Sequence, residues 1–215
     1  MKITFVRHGK TEAHELNRRQ TSEASLGEVG KDQAKKVAKH LKNKLADKEY
    51  VHIVSSPFKR ARETSEFISF EVGLKILENE LIHEILPHPD LDGQAFDSEI
   101  AQRFLKEVEK FGYDINWKFE NGGESIREVI ERAKKFKNHL IKNYKGKNLV
   151  VVSHGTFLRI FITYILLGEN YDAQTFKKVM ESFKLENTSL TEMEYNEEKD
   201  LWYVYTINST PHLNS

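Results

Sequence analysis

The sequence predicts a layered α/β fold with a largely parallel sheet. Three observations carry this: short apolar runs of strand length, longer segments of helical period between them, and polar, Gly- or Pro-marked breaks at the junctions. The apolar runs lie at residues 3–6, 51–54 and 149–152, with weaker ones near 74–77 and at the C-terminus. Ala34, Val37, Ala38, Leu41 and Leu45 repeat at the helical period, as do Ile126, Val129, Ile130, Ala133, Phe136, Leu140 and Ile141. The closing SLTEMEYNEEKDLWYVYTI reads instead as a hairpin, two alternating runs around the polar turn at 196–200.

Residues 83–123 interrupt the strand–helix rhythm. Pro87, Pro89, Asp92-Gly93 and Gly122-Gly123 are turn signals, and one helix is expected at about 97–111. This stretch is read as a cap-like insertion over the carboxyl edge of the sheet. With 215 residues and no linker or low-complexity tract, a single domain is expected.

Composition narrows the chemistry. Lys plus Arg and Asp plus Glu both number 33, so any anion binding must be local, and neither nucleic acid nor an anionic membrane is an expected partner. The absence of cysteine rules out disulfides, thiolate zinc sites and cysteine nucleophiles. A strand-like run from Lys2 leaves no room for a signal peptide. The most apolar helix-like run, 157–167, contains Arg159 and is far shorter than the roughly 20 residues that span a bilayer. A cytoplasmic protein is the simplest reading. No apolar stripe is left over to specify an oligomer.

The chemistry sits at strand ends. Arg7-His8-Gly9 closes the first apolar run, Ser55-Ser56-Pro57 the second and Ser153-His154-Gly155 the third, with Arg60 near the start of the helix after the second. Ligands of open α/β sheets bind beyond the carboxyl ends of the strands. Two guanidinium forks, two imidazoles and a helix N-terminus suit a tetrahedral oxyanion, most naturally phosphate. Taken singly, each has a plainer explanation: a hydrogen-bonded histidine, a solvated helix arginine. Their joint placement is what points to a site. Arg62, two residues from Arg60, projects from a different helix face and is read as structural or surface.

ITFVRHGKT, SSPFKRARET and VVVSHGTFLR, in that order and spacing, resemble the histidine phosphatase (phosphoglycerate mutase-like) superfamily, in its phosphatase branch. The resemblance extends to SLGEVGKDQAKKVAKHL, GGESIREVIERAKKF and the closing INSTPHL. It implies a three-layer α/β/α sandwich around a mixed, mainly parallel sheet. It also implies a histidine acid phosphatase-type phosphoric monoester hydrolase that needs no metal or other cofactor. In that reading His8 is the nucleophile, forming a phosphohistidine, while Arg7, Arg60 and His154 bind the phosphate. The Gly9 carbonyl fixes the ring tautomer of His8.

The family also places an acid in a leucine-any-glutamate pattern after the third strand. In ENELIHEILPHPDLDG this falls on Glu84, the expected general acid and later base. Glu124, in GGES, is the next candidate, although it equally suits capping of the following helix. Three positions depart from the family pattern. Lys10 replaces a frequent glutamate or glutamine, Gly27 a common threonine, and His14 a familiar asparagine phosphate ligand. His14 is kept as a phosphate-binding candidate.

Three rival readings follow from the same residues. HEILPHPDLD gathers His83, Glu84, His88, Asp90 and Asp92, which raises a metal-dependent hydrolase, but Pro87 between the histidines breaks the helical zinc spacing. A phosphate-binding module without turnover would keep the same pocket. A phosphoglycerate mutase would share the covalent step, but the expected insertion holds only one arginine, Arg103. The expected partner is a small phosphorylated metabolite. Sugar phosphates, phosphoglycerates, nucleotide monophosphates and a cobamide-precursor phosphate all fit. Phe96, Phe104 and Trp117 serve equally as pocket walls or as the insertion's own small core.

Overall fold

Six strands form one mixed sheet in the order β3-β2-β4-β1-β5-β6, in a computed structural model that describes residues 1–45, 49–112 and 114–214. The parallel part comprises β1 (Lys2–Arg7), β2 (Tyr50–Ser55), β3 (Ile76–Glu78) and β4 (Asn148–Ser153). The hairpin β5 (Leu190–Asn196) and β6 (Leu201–Ser209) adds two antiparallel strands beside β1. Seven α-helices flank the sheet among the described residues: α1 (Glu12–Glu15), α2 (Glu28–Leu45), α3 (Lys59–Val72), α4 (Glu99–Phe111), α5 (Ile126–Tyr144), α6 (Gly155–Leu167) and α7 (Ala173–Glu181).

The pleat of β4 explains the three layers. Side chains alternate across a strand, so Leu149 and Val151 join one buried cluster and Val150 and Val152 another. The first cluster takes in Phe136 and Leu140 of α5, Phe157 and Phe161 of α6 and Phe176 of α7. The second takes in Val37 and Leu41 of α2 with Ala61 and Ile68 of α3. A strand buried on both faces reads as a continuous apolar run, which is why β1 and β4 stood out in the sequence. Helix α7 was not among the sequence expectations; its N-cap is Asp172, whose side chain accepts the Thr175 amide.

Between β3 and α5 the chain is mostly irregular, with short 3-10 turns at Glu80–Ile82, Pro89–Leu91 and Phe119–Asn121 around α4. Leu91, Ala101 and Phe119 make a small separate core, joined by Phe104 and Trp117. Phe104 and Trp117 therefore pack within this segment, whereas Phe96 is partly exposed beneath the Arg19 guanidinium. The Arg18 guanidinium donates to the Gly93 carbonyl at 2.9 Å, and the Arg19 amide to the Gln94 carbonyl at 2.8 Å. These bonds tie the segment to the loop after α1.

Candidate active site

Register brings the strand ends together. Arg7 of β1 lies opposite Ser153 of β4, and Ser55 of β2 opposite Val152. The residues that follow, His8, Ser56 and His154, thus emerge side by side from the carboxyl edge. His8 and His154 face each other with ring centroids 5.1 Å apart. Arg60 comes from the first turn of α3 and reaches His8 with its Nε–H, 3.2 Å from Nε2. Both histidines and Arg60 are at most 2% exposed.

His8 is held through both its main chain and its ring. Its amide donates to the Ser153 carbonyl at 3.0 Å, its carbonyl accepts from Asn187 Nδ2 at 2.8 Å, and its Nδ1 lies 2.8 Å from the Gly9 carbonyl. The last contact puts the ring proton on Nδ1, leaving the Nε2 lone pair facing Arg60. Glycine at position 9 is required by packing: a Cβ there would lie 2.6 Å from the Gly30 carbonyl oxygen. Burial drives the His8 pKa well below its ordinary value, and the charges of Arg60 and Arg7 push it further. The ring is neutral at physiological pH.

His154 is neutral for the same reasons, burial first and then the Arg60 charge. Ser56 Oγ accepts the Phe58 amide at 3.3 Å and can donate its own hydrogen to His154 Nε2 at 2.7 Å, which leaves the ring proton on Nδ1. The Phe58 ring stacks on His83 and meets His154 edge-on, with the Arg60 guanidinium 5.2 Å above its face. Burial lowers the pKa of Arg60 to about 10, partly offset by the Glu84 charge, so it remains a cation at neutral pH. Arg7 is lowered by burial likewise and donates from Nη1 to the Leu185 carbonyl.

Glu84 lies on the irregular loop after β3, at the N-terminus of α6. Its Oε1 accepts the amides of Phe157 at 3.0 Å and Ile85 at 2.9 Å, and its Oε2 accepts the Thr156 amide at 3.0 Å. Helix N-termini offer such unpaired amides, and the dipole favours an anion there. Oε1 has both lone pairs engaged, whereas Oε2 keeps one free.

Glu124 is engaged elsewhere. It forms a fork with Arg132, Nε to Oε1 at 2.9 Å and Nη2 to Oε2 at 2.8 Å, while Ser125 is the residue that caps α5. His14, at the third position of α1, completes the capping box opened by the N-cap Thr11: its Nδ1 lies 3.1 Å from the Thr11 hydroxyl and its Nε2 2.6 Å from the Gln20 carboxamide nitrogen. Burial and the nearby charges of Arg7 and Arg60 lower its pKa to about 4. The ring is within electrostatic reach of the pocket, with both nitrogens already in contact. Arg62 points away, 3.9 Å from Glu78.

The acidic and histidine run 83–92 disperses. His83 Nδ1 binds the Glu84 carbonyl and His88 Nδ1 accepts the Asp90 amide. Among the described residues no group of three or more His, Asp or Glu side chains is placed to hold a metal ion. No helix among them is long and apolar enough to cross a membrane.

Sequence reasoning missed the segment just before β5. Leu185, Asn187 and Thr188 bind Arg7 and His8, the Thr188 amide donating to the Arg7 carbonyl at 2.9 Å. The usable signal was the hairpin. An antiparallel strand beside β1 must begin where β1 ends, so the residues that lead into it lie at the site.

The fold and these strand-end residues define a histidine phosphatase. The chain belongs to the histidine phosphatase superfamily (branch 1), whose model matches residues 3–210. It is 28% identical over 214 residues to phosphoserine phosphatase 1 of Hydrogenobacter thermophilus, covering 99% of this chain and 94% of that protein. It is 27% identical over 222 residues to a metal-independent phosphoserine phosphatase of Arabidopsis thaliana, covering 99% of this chain and 83% of that protein. Among solved structures, phosphoserine phosphatase of Entamoeba histolytica in complex with 3-phosphoglyceric acid superposes with a TM-score of 0.77 at 26% identity, over 99% of this chain and 98% of that one.

Proposed function

We propose that this protein is a metal-independent phosphomonoesterase that hydrolyses a small phosphorylated metabolite through a phosphohistidine on His8. The observation that carries the reading is the neutral, buried His8 ring, its Nδ1 tied to Gly9 and its Nε2 directed at the Arg60 fork.

In the first step the Nε2 lone pair attacks phosphorus and the ester P–O bond breaks. The Arg60 Nε–H, released from Nε2, turns to a phosphoryl oxygen. Arg7 and the His154 Nδ1–H bind the others, and His14 lies at the edge of the same field. The departing alkoxide takes a proton from Glu84, on Oε2, the oxygen with a free lone pair. In the second step Glu84, now a carboxylate, takes a proton from water as the water attacks phosphorus. The P–N bond breaks, inorganic phosphate leaves and His8 returns to the neutral ring.

Phosphoserine is the first substrate to try, because two of the relatives bear its phosphatase activity in their names. Hydrolysis is favoured over a mutase because Arg103, the arginine of the 83–123 segment, is paired with Glu120. The deciding experiment follows release of phosphate from phosphoserine and p-nitrophenyl phosphate in excess EDTA. Turnover is expected in the wild type and is expected to fall on the order of a thousandfold or more in His8→Ala. Equal activity in both proteins would remove His8 as nucleophile, and loss of wild-type activity with EDTA would point to a metal. Interconversion of 2- and 3-phosphoglycerate as fast as hydrolysis would favour the mutase reading.

A further inference from the structure

We infer that Arg132 and Glu124 are positioning residues that hold Glu84 in line with the leaving group, an inference that rests on Glu84 as general acid. Glu84 sits where no sheet ladder fixes the backbone, since β3 ends at Glu78. Three of its neighbours along the chain are instead bound by this one ion pair. Arg132 Nη1 donates to the carbonyls of Leu81 and His83, both at 2.9 Å. The Leu86 amide donates to Glu124 Oε2 at 3.0 Å, and the Glu124 amide returns a bond to the Leu86 carbonyl at 2.8 Å. The pair therefore grips residues 81, 83 and 86, on both sides of Glu84.

The geometry of the grip is specific. Arg132 uses Nε and Nη2 for the carboxylate and Nη1 for the two carbonyls, so only a planar fork satisfies all four acceptors. Both side chains are largely buried, 11% and 16% exposed. The guanidinium also lies 5.3 Å above the ring of Phe157, whose amide is one of the donors to Glu84. Gly123 allows the two backbones to meet: its φ is +71°, and a Cβ there would lie 2.5 Å from the Leu86 carbonyl oxygen. Misplacing a catalytic group by about 1 Å costs on the order of a hundredfold in rate, so a grip on the loop is a grip on proton transfer.

A group that only stabilises the fold would affect all substrates alike, whereas one that positions a general acid matters most where the leaving group needs a proton. The test compares kcat/KM for n-propyl phosphate, which leaves as a basic alkoxide, with that for p-nitrophenyl phosphate, whose phenolate leaves unaided. Arg132→Lys, which keeps the charge and loses the fork, is expected to lower the propyl ester by roughly tenfold or more and the nitrophenyl ester by under about threefold. Glu84→Gln is the reference and is expected to show the same selectivity with a larger loss, on the order of a hundredfold or more. Should Arg132→Lys fail to fold, as judged by its circular dichroism, the near-isosteric Glu124→Gln carries the same comparison. Equal losses on the two esters, or no loss, in the clamp variants while Glu84→Gln stays selective would overturn the inference. Equal losses in Glu84→Gln itself would instead remove the general-acid assignment, and the inference with it.

Discussion

The His8 end of the pocket continues directly from a sheet strand, whereas the Glu84 end lies on an irregular loop held by groups from α5, from the start of α6 and from the segment before α5. At the first, the His8 amide and carbonyl and the Gly9 amide all find partners on β4, on α3 or on the turn before β5. At the second, the supports are the Arg132–Glu124 fork and the open amides of α6. The proposed nucleophile must be neutral, and burial at the sheet edge, which disfavours a charged ring, keeps His8 so. Glu84, the proposed general acid, sits on a loop whose backbone is bound by the Arg132–Glu124 pair, while its carboxylate accepts amides at the start of α6. The buried ion pair at that end is weak evidence for stability, because desolvation of the two charges opposes their attraction. Its value is geometric.

Arg60 offers the strongest way to separate the two ends after His8 itself. It belongs to the nucleophile side, with Nε on His8 and Nη1 on the Thr21 carbonyl at 2.8 Å. Arg60→Lys keeps a cation and loses the fork, and the expected loss in kcat/KM is on the order of a hundredfold. The loss should be the same for propyl and nitrophenyl esters, because charge builds on the phosphoryl oxygens whichever group leaves. A selective loss would mean that Arg60 also acts on the leaving-group side and that the two ends of the pocket do not work separately.

The same division governs what could be read from the sequence. Strands buried on both faces advertise themselves as apolar runs, and their ends follow, so Arg7, His8 and His154 were legible one by one. Arg60 was legible because a helix start follows the second strand. Glu84 was placed by resemblance to a family pattern, since an irregular loop has no period to betray it. The partnership of Glu124 with Arg132 was not legible. Eight residues apart, the two look like ordinary charges at the start of a capped amphipathic helix, and the Arg132 acceptors at Leu81 and His83 lie about fifty residues upstream. Nor was Asn187, whose role depends on which strand the hairpin joins. Phe104 and Trp117 could be assigned to a wall or to a core only once α4 and the 3-10 turn at Phe119 were seen to pack together.

Asn187 tests the His8 side with a smaller effect. Its Nδ2–H is a side-chain bond to the His8 carbonyl, and loss of one such neutral bond costs about 1 kcal/mol. Asn187→Ala is expected to lower kcat by up to about tenfold with little change in KM, since it shifts the nucleophile and leaves the phosphate ligands alone. A rise in KM with unchanged kcat would place Asn187 among the substrate-binding groups.

The smallest effect is expected at His14, where the informative variable is pH. Its folded pKa, about 4, lies below the ordinary value of 6.5, through burial first and then the charges of Arg7 and Arg60. Below pH 6.5 the unfolded chain binds a proton at this ring that the folded chain refuses. Stability from this group therefore declines as pH falls from 6.5 towards 4, then levels off, and above pH 6.5 the ring contributes no pH dependence. Asparagine does not titrate, so the difference in Tm between His14→Asn and the wild type should move in favour of the variant between pH 7 and pH 5. The other buried histidines are common to both proteins and cancel in that difference. A difference in Tm that is flat with pH would show that the ring takes up its proton as readily in the folded chain as in the unfolded one. It would then stand in solvent and away from the field of Arg7 and Arg60, on neither side of the pocket.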